Sequence, residues 1–252
     1  MTTLFLFILG SAVGSFLNVL IDRLPHEESI TGRSHCDYCK KKIAWYDLIP
    51  IISFFVLRGR ARCCNKKLSI QYPSVELLTG IVFAVIFIEF SIFNFQFSRL
   101  LILFGIASCL IVIFFSDLKY HLISDYILIA LSIFSILYNF QSIPRLPFLI
   151  ASAIIVSGPI YIIYNLSKER AMGLGDVYLS AIMGFLLGWK YGYIALYIAF
   201  VTGAIFGIFL MILNKKKLKS KIAFGPFIVF GLLVMLFFGE KILSLITLLY
   251  SR

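Results

Sequence analysis

Long apolar runs alternate with short polar segments along almost the whole chain. A helix that crosses a bilayer needs about 20 mostly apolar residues, and eight runs have this character. They cover residues 4–21, 75–93, 100–116, 122–140, 147–165, 177–188, 191–213 and 222–239. The pattern predicts an all-α membrane protein with about eight transmembrane helices.

The run 177–188 is shorter than a full span, and two interpretations of it are open. It can extend through Tyr191 with Lys190 reaching the membrane interface, or it can merge with the next run to leave seven helices. The apolar piece Ile49–Leu57 is too short to span, and we expect it to lie at the interface.

Composition supports a membrane protein over a soluble one. Hydrophobic residues make up 61% of the chain and the mean hydropathy is +0.99, whereas a soluble domain is closer to half apolar. We expect three parts: a first transmembrane helix (1–21), a loop that is a candidate zinc-binding subdomain (22–72), and a polytopic membrane core (73–252).

The net charge of +11 is better interpreted as a topology signal than as a nucleic-acid surface. With the N-terminus outside, the loops on the cytoplasmic side (22–72, 117–121, 166–176 and 214–221) hold 18 of the 23 Lys and Arg residues. This bias predicts that orientation and depends on eight spans. The first 22 residues contain no Lys or Arg, so we expect no removable signal peptide.

Two aspartates lie at the edges of apolar runs. Asp117 follows the third run and Asp176 precedes the sixth, so the predicted topology puts both at the cytoplasmic face. A carboxylate at such a position is expensive and is a candidate functional group. Two nearby carboxylates tend to share one proton, which suits general acid–base hydrolysis of a peptide bond.

Other interpretations of these acids remain open. An aspartate at a helix N-terminus is favourable without any catalysis, and Asp125 is a rival for the first carboxylate. Gly173 and Gly175 precede Asp176. Glycine permits positive φ angles and close backbone approach, which would let an extended substrate segment lie against this loop.

Four cysteines lie in the polar loop. Cys36 and Cys39 have the spacing of a zinc knuckle, whereas Cys63 and Cys64 are adjacent, which is poor geometry for two ligands of one metal. A cytoplasmic loop keeps its thiols reduced, so the four suggest structural zinc. Free thiols, or a site that uses only one of Cys63 and Cys64 and includes His35, are the alternatives.

Several short motifs, in the same order along the chain, resemble those of the bacterial type IV prepilin peptidases. They are Gly14-Ser15-Phe16-Leu17-Asn18-Val19 with Arg23-Leu24-Pro25, Asp47-Leu48-Ile49-Pro50, Arg58-Gly59-Arg60, Tyr72-Pro73-Ser74-Val75-Glu76-Leu77-Leu78-Thr79-Gly80, Gly173-Leu174-Gly175-Asp176 and Phe224-Gly225-Pro226-Phe227. Asp117 and Asp125 are spaced as in the family's D-x6-P-D element, with Ser124 where proline is usual.

The resemblance implies a GxGD-type aspartic intramembrane protease of the bacterial cytoplasmic (inner) membrane. Such enzymes remove the short basic leader from prepilins or pseudopilins at the cytoplasmic face. It implies catalytic roles for Asp117 and Asp176 and a supporting role for Asp125. Many members also methylate the new N-terminus with S-adenosylmethionine, an activity that here rests on the resemblance alone. The implied partners are the prepilin helix and the lipid bilayer.

The cysteine loop departs from the family pattern, which usually has a second C-x-x-C. Ala61 stands where the first cysteine of that pair is expected, Cys64 occupies the second position, and Cys63 is additional. With Cys63 in place of the missing cysteine, the candidate zinc ligands are Cys36, Cys39, Cys63 and Cys64.

Three other functions compete with the prepilin-type peptidase. A transporter would use intramembrane carboxylates for protons or cations, but its acids would lie near mid-bilayer in broken helices. A presenilin-like or preflagellin peptidase would lack the long cysteine loop and the Gly14–Val19 segment. A zinc-stabilised scaffold without activity is the fourth hypothesis.

Overall fold

The structure, a computed structural model, describes residues 1–36, 38–92, 96–140, 145–170, 172–213 and 223–250. Within those ranges the helices are α1 (Thr2–Arg23), α2 (Ile52–Val56), α3 (Gln71–Ile92), α4 (Phe97–Tyr120), α5 (Asp125–Asn139), α6 (Leu146–Ser167), α7 (Leu174–Leu187), α8 (Trp189–Ile212) and α9 (Gly225–Tyr250). All but α2 coincide with the eight predicted apolar runs, which confirms the all-α membrane fold. The predicted basic loop 214–221 and Arg252 lie outside the described residues.

Six of the described helices are long and apolar enough to cross a membrane, namely α1, α3, α4, α6, α8 and α9. The helices α5 and α7 are apolar but shorter, at 15 and 14 residues. The seven-helix alternative, in which α7 merges with α8, is wrong. Gly188 separates the two helices at a φ of 79°, a left-handed conformation that interrupts a right-handed helix.

The chain divides into two compact units, Met1–Val112 and Ile113–Arg252. In the first unit α1 packs along α3 through small residues that bring the two backbones together. A Cβ on Gly14 would lie 2.7 Å from the Cα of Glu76, and one on Gly10 would lie 2.8 Å from the carbonyl oxygen of Thr79. Side chains at these positions would force the pair apart.

The loop between α1 and α3 contains the cysteines and the short helix α2. A 3-10 turn (Trp45–Leu48) precedes α2, and Arg62 binds Asp47 in this turn through an ion pair of 2.9 Å. The guanidinium of Arg62 also lies 5.3 Å from the ring centroid of Tyr46. These contacts join the turn to the chain around Cys63.

In the second unit α7 is the central helix, in contact with α5, α6, α8 and α9. More than half of its residues are buried, among them Leu179 and Met183. Gly184 allows α6 to approach closely, since a Cβ there would lie 2.6 Å from the carbonyl oxygen of Ser152. A short helix surrounded by four others holds its first turn, which contains Asp176, in a fixed position.

Candidate active site and candidate metal centre

Asp117 lies near the end of α4, in the second unit, and is only 6% exposed. A helix C-terminus is the unfavourable end for a carboxylate, so the capping interpretation does not apply to this residue. Its Oδ2 instead accepts a hydrogen bond of 2.8 Å from the backbone N–H of Gly225. Gly225 is the first residue of α9, where backbone N–H groups lack partners inside the helix. The positive end of α9 therefore faces the carboxylate.

Asp176 lies in the first turn of α7 and is 8% exposed. Its Oδ2 accepts a hydrogen bond of 3.1 Å from the backbone N–H of Gly173, the residue that precedes the helix. This is the carboxylate half of a capping box, so the capping interpretation holds for Asp176. Capping fixes the side chain, and a fixed carboxylate remains available for catalysis.

Ile123 connects the two carboxylate segments. Its Cδ1 would lie 3.3 Å from a Cβ on Gly175, next to Asp176, and 3.3 Å from a Cβ on Gly225, the partner of Asp117. The structure therefore brings together the chain segments that hold the two acids, which the sequence predicts as a pair although they are far apart in the chain.

Gly173 and Gly175 use only one of the two freedoms that glycine offers. Gly173 has a φ of −85°, and neither glycine has a positive φ, so the left-handed conformation is not used here. Close approach does occur at Gly175, where a Cβ would lie 3.0 Å from the Cβ of Ile123. The space that this glycine provides is filled by the protein's own side chain.

Asp125 is exposed at the first position of α5, behind its N-cap Ser124. An aspartate in the first turn of a helix is stabilised by the helix dipole. Asp125 thus differs from Asp117, which is buried and bonded to a backbone amide.

All four predicted cysteine ligands come together in the first unit. Their Sγ atoms lie within 4.8 Å of one another, with 3.7 Å between Cys36 and Cys64 and 3.1 Å between Cys39 and Cys63. The adjacent pair therefore offers both sulfurs to one centre, contrary to the expectation of poor geometry.

Two backbone turns of the same kind hold these cysteines. In the first turn, the backbone N–H of Cys36 donates to the carbonyl oxygen of Lys41, and the N–H of Lys40 donates to that of Cys36. In the second turn, the N–H of Ala61 donates to the carbonyl oxygen of Lys66, and the N–H of Asn65 donates to that of Ala61. Lys40 and Asn65 both have a φ of 56°. A β-bridge closes each turn, between His35 and Lys42 and between Arg60 and Lys67.

When the two turns are aligned residue by residue, Ala61 corresponds to Cys36 and Cys64 corresponds to Cys39. The second turn therefore lacks the first cysteine of a zinc knuckle, as the sequence indicates. Cys63, one position before Cys64, supplies the fourth sulfur from the middle of the turn.

The sulfur cluster fits a tetrahedral metal. Zn–S bonds of about 2.3 Å give sulfur–sulfur edges of about 3.8 Å in a tetrahedron, and the separations of 3.1 to 4.8 Å bracket this value. Burial raises the pKa of Cys36, but hydrogen bonds from the backbone of Cys39 and Tyr38 and from the thiols of Cys63 and Cys64 lower it to about 7. Hydrogen bonding to Cys39, followed by desolvation, raises the pKa of Cys63 to about 12. These opposite shifts indicate thiols that share protons, which a bound cation would displace.

Two residues that support these sites were not predicted from the sequence. Gly225 belongs to a recognised motif but was not expected to bond to a carboxylate. Glu76 is buried near the start of α3, where its Oε2 accepts a hydrogen bond of 2.7 Å from the backbone N–H of Ile51. An acidic residue inside an apolar run was the available signal for Glu76; its partner could not be identified from spacing.

Comparisons with known proteins agree with this arrangement. Residues 8–90 match the family described as the bacterial Peptidase A24 N-terminal domain, and residues 104–208 match the type IV leader peptidase family. No solved structure is significantly similar to the chain.

Curated relatives extend over most of the chain. A protein of Legionella pneumophila called prepilin leader peptidase/N-methyltransferase is 31% identical over 92% of this chain and 90% of its own length. Proteins with the same name from Myxococcus xanthus (34% identical, over 82% of this chain and 63% of the relative) and Bacillus subtilis (28%, over 95% of both) also match. This chain belongs to the type IV leader peptidase family.

Proposed function

We propose that this chain is an intramembrane aspartic endopeptidase that removes the short basic leader from type IV prepilins or pseudopilins. The observation that carries the proposal is the pair of buried carboxylates, Asp117 and Asp176, each held through its Oδ2 by a backbone N–H. The names of its relatives support the choice of substrate.

Asp117 and Asp176 are proposed to act together on one water molecule. The ionised carboxylate takes a proton from the water molecule while the water oxygen attacks the scissile carbonyl carbon. The protonated carboxyl donates its proton to the carbonyl oxygen. The first carboxyl then gives its proton to the leaving nitrogen, and the second takes a proton from a hydroxyl of the tetrahedral intermediate. The C–N bond breaks, the carbonyl re-forms and the pair again holds one proton. The acid and base roles belong to the pair, since two coupled carboxylates titrate together.

Fixed hydrogen bonds prepare the pair for this reaction. With Oδ2 of each side chain bonded to a backbone amide, the carboxylates keep their orientation without a bound substrate. Such preorganisation reduces the reorganisation needed in the transition state. We assign Gly173, Gly175 and Asp125 supporting roles: the first two shape the segment before Asp176, and Asp125 lies at the start of the helix that follows Asp117.

We place the enzyme in the bacterial cytoplasmic membrane, with its N-terminus outside and the carboxylates at the cytoplasmic face. Asp117 lies near the C-terminal end of α4 and Asp176 in the first turn of α7, and these are the helix ends that the predicted topology puts at one face. The distribution of Lys and Arg supports the orientation. The transporter alternative is not supported, because both acids lie at helix ends.

We propose that Cys36, Cys39, Cys63 and Cys64 hold a structural zinc ion. The tetrahedral fit of the four sulfurs supports this set. The ion would supply a crosslink between the two turns, which makes residues 22–72 a metal-stabilised subdomain beside the membrane core of 73–252. N-methylation with S-adenosylmethionine, present in the names of the relatives, is proposed on those names alone.

A cleavage assay tests the peptidase. Purified protein in liposomes is incubated with a prepilin that has a basic leader, and the products are identified by mass spectrometry. We expect one cut at the leader–helix junction and loss of cleavage in Asp176→Asn. Unchanged cleavage by that variant would contradict the assignment, and proton-coupled flux without any cleavage would favour a transporter.

A further inference from the structure

The short helix α2 presents an apolar stripe to its surroundings. Ile52, Phe55 and Val56 are 61%, 70% and 69% exposed, and their spacing places them on one helical face. Phe54 packs instead toward the loop, near Gly59. Three large apolar side chains together on an exposed face indicate a surface that contacts an apolar partner.

Glu76 fixes where this stripe lies relative to α3. Its carboxylate accepts a hydrogen bond from the backbone N–H of Ile51, the residue that precedes α2. Glu76 is in the second turn of α3, a helix long and apolar enough to cross a membrane. The hydrogen bond therefore holds the start of α2 beside the first turns of a candidate span.

The residues around α2 match the chemistry of a lipid headgroup region. Trp45 and Tyr46 precede it and are exposed, and these residue types are enriched at membrane–water interfaces. Arg58 and Arg60 follow it and are exposed. Residues 22–72 contain ten Lys and Arg against five Asp and Glu, which favours a surface of anionic lipid.

We propose that α2 is an interfacial helix, with Ile52, Phe55 and Val56 inserted at the headgroup–acyl boundary of an anionic leaflet and Glu76 holding it beside the first turns of α3. Apolar faces of interfacial helices enter the membrane by about 5–10 Å. The lipid contact would hold the cysteine turns against the membrane surface.

Tryptophan fluorescence measures this insertion directly. The chain has two tryptophans, Trp45 and Trp189, so Trp45→Phe with Trp189→Phe gives a background without this fluorophore. Phe55→Trp places a reporter in the stripe, and Tyr38→Trp places a matched reporter in the first cysteine turn, where the side chain is also exposed. Both full-length proteins are reconstituted into phosphatidylglycerol vesicles whose acyl chains are brominated.

We expect bromolipid to quench the Phe55→Trp reporter at least about three-fold more than the Tyr38→Trp reporter, and aqueous acrylamide to quench it less. Trp45 itself, in the Trp189→Phe protein with an intact stripe, should also be quenched by bromolipid, which covers the case where the Phe55→Trp protein does not fold. Replacing phosphatidylglycerol by phosphatidylcholine should weaken the lipid quenching.

Three results would overturn the proposal. One is acrylamide quenching of the two reporters to the same extent with no bromolipid effect. The second is shielding of the Phe55→Trp reporter only after a prepilin is added, which would make the stripe a substrate surface. The third is equal lipid quenching in neutral and anionic vesicles, which would remove Arg58 and Arg60 from the headgroup contact.

Discussion

The carboxylate pair and the cysteine quartet are built in different ways. Asp117 depends on a hydrogen bond to a residue 108 positions away in the chain, and both acids are buried. The cysteines are held by two short turns, each formed by bonds between residues at most five positions apart. A site assembled from distant helices loses its geometry when one helix end moves, whereas a site made of local turns can be repaired by a local change.

The largest expected effect is the loss of leader cleavage when either carboxylate of the pair is changed. Asp117→Asn and Asp176→Asn should each slow leader cleavage by about 10²–10⁴-fold, the usual contribution of general acid–base catalysis. The double variant should be no slower than either single one, because the two groups act as a unit. Initial rates with one prepilin measure this, and multiplied losses would mean independent roles.

Zinc content provides the control for those variants. Bound metal, measured after purification without chelator, should remain as in the parent protein when either aspartate is changed. A parallel loss of metal would mean that the aspartate variants disturb the whole fold.

Gly225→Ala tests whether the hydrogen bond from Gly225, a residue far away in the chain, positions Asp117 for catalysis. The new Cβ would lie 2.7 Å from Asp117 Oδ2, so the carboxylate must move or lose its hydrogen bond. A displacement of about 1 Å can cost about 10²-fold in rate, and we expect the loss mainly in kcat with little change in KM. Gly158→Ala is the matched control, since a Cβ there meets nothing within 4 Å. Equal rates for the two glycine variants would contradict the positioning role.

At the metal site, by contrast, we expect that a lost zinc ligand can be replaced by a second substitution in the same turn. Cys63→Ser removes the fourth sulfur, and the zinc content of the purified protein should fall. Ala61→Cys in the same protein should restore it, because residue 61 is the equivalent of Cys36 in the second turn. Zinc analysis of the single and double variants decides this. A parent protein without zinc, or a double variant as poor as the single one, would contradict the proposed ligand set.

Glu76→Gln is expected to have the smallest effect of the series. The amide oxygen can still accept from Ile51, but the charge-assisted bond is lost, at a cost of about 1–3 kcal/mol. We expect faster proteolysis within residues 49–57 and near-normal leader cleavage by the reconstituted protein. Limited proteolysis followed by mass spectrometry measures this. Unchanged protection of the segment would mean that Glu76 does not hold α2.

The difference between the regions also explains what could be predicted from sequence. Apolar runs predicted eight of the nine described helices, since length and hydropathy are local properties. Cys36 and Cys39 could be recognised from their local spacing, and Cys63 and Cys64 because they lie in the same loop, but the adjacency of Cys63 and Cys64 gave a wrong expectation of poor geometry. The pairing of Asp117 with Gly225 and of Glu76 with Ile51 could not be predicted, because nothing in the local sequence identifies a partner on another helix. The sequence shows that Gly175 permits close approach but does not identify what approaches it, which in the structure is Ile123.

The choice of Asp117 over Asp125 is tested most directly by the initial rate of leader cleavage in Asp117→Asn compared with Asp125→Asn, on the same prepilin in the same liposomes. Asp117 is buried and bonded to the start of α9, while Asp125 is exposed at the start of α5. We predict a loss of about 10²-fold or more for Asp117→Asn and a clearly smaller loss for Asp125→Asn, in keeping with a supporting role. Full cleavage by Asp117→Asn, or an equal loss in both variants, would contradict the proposed pair.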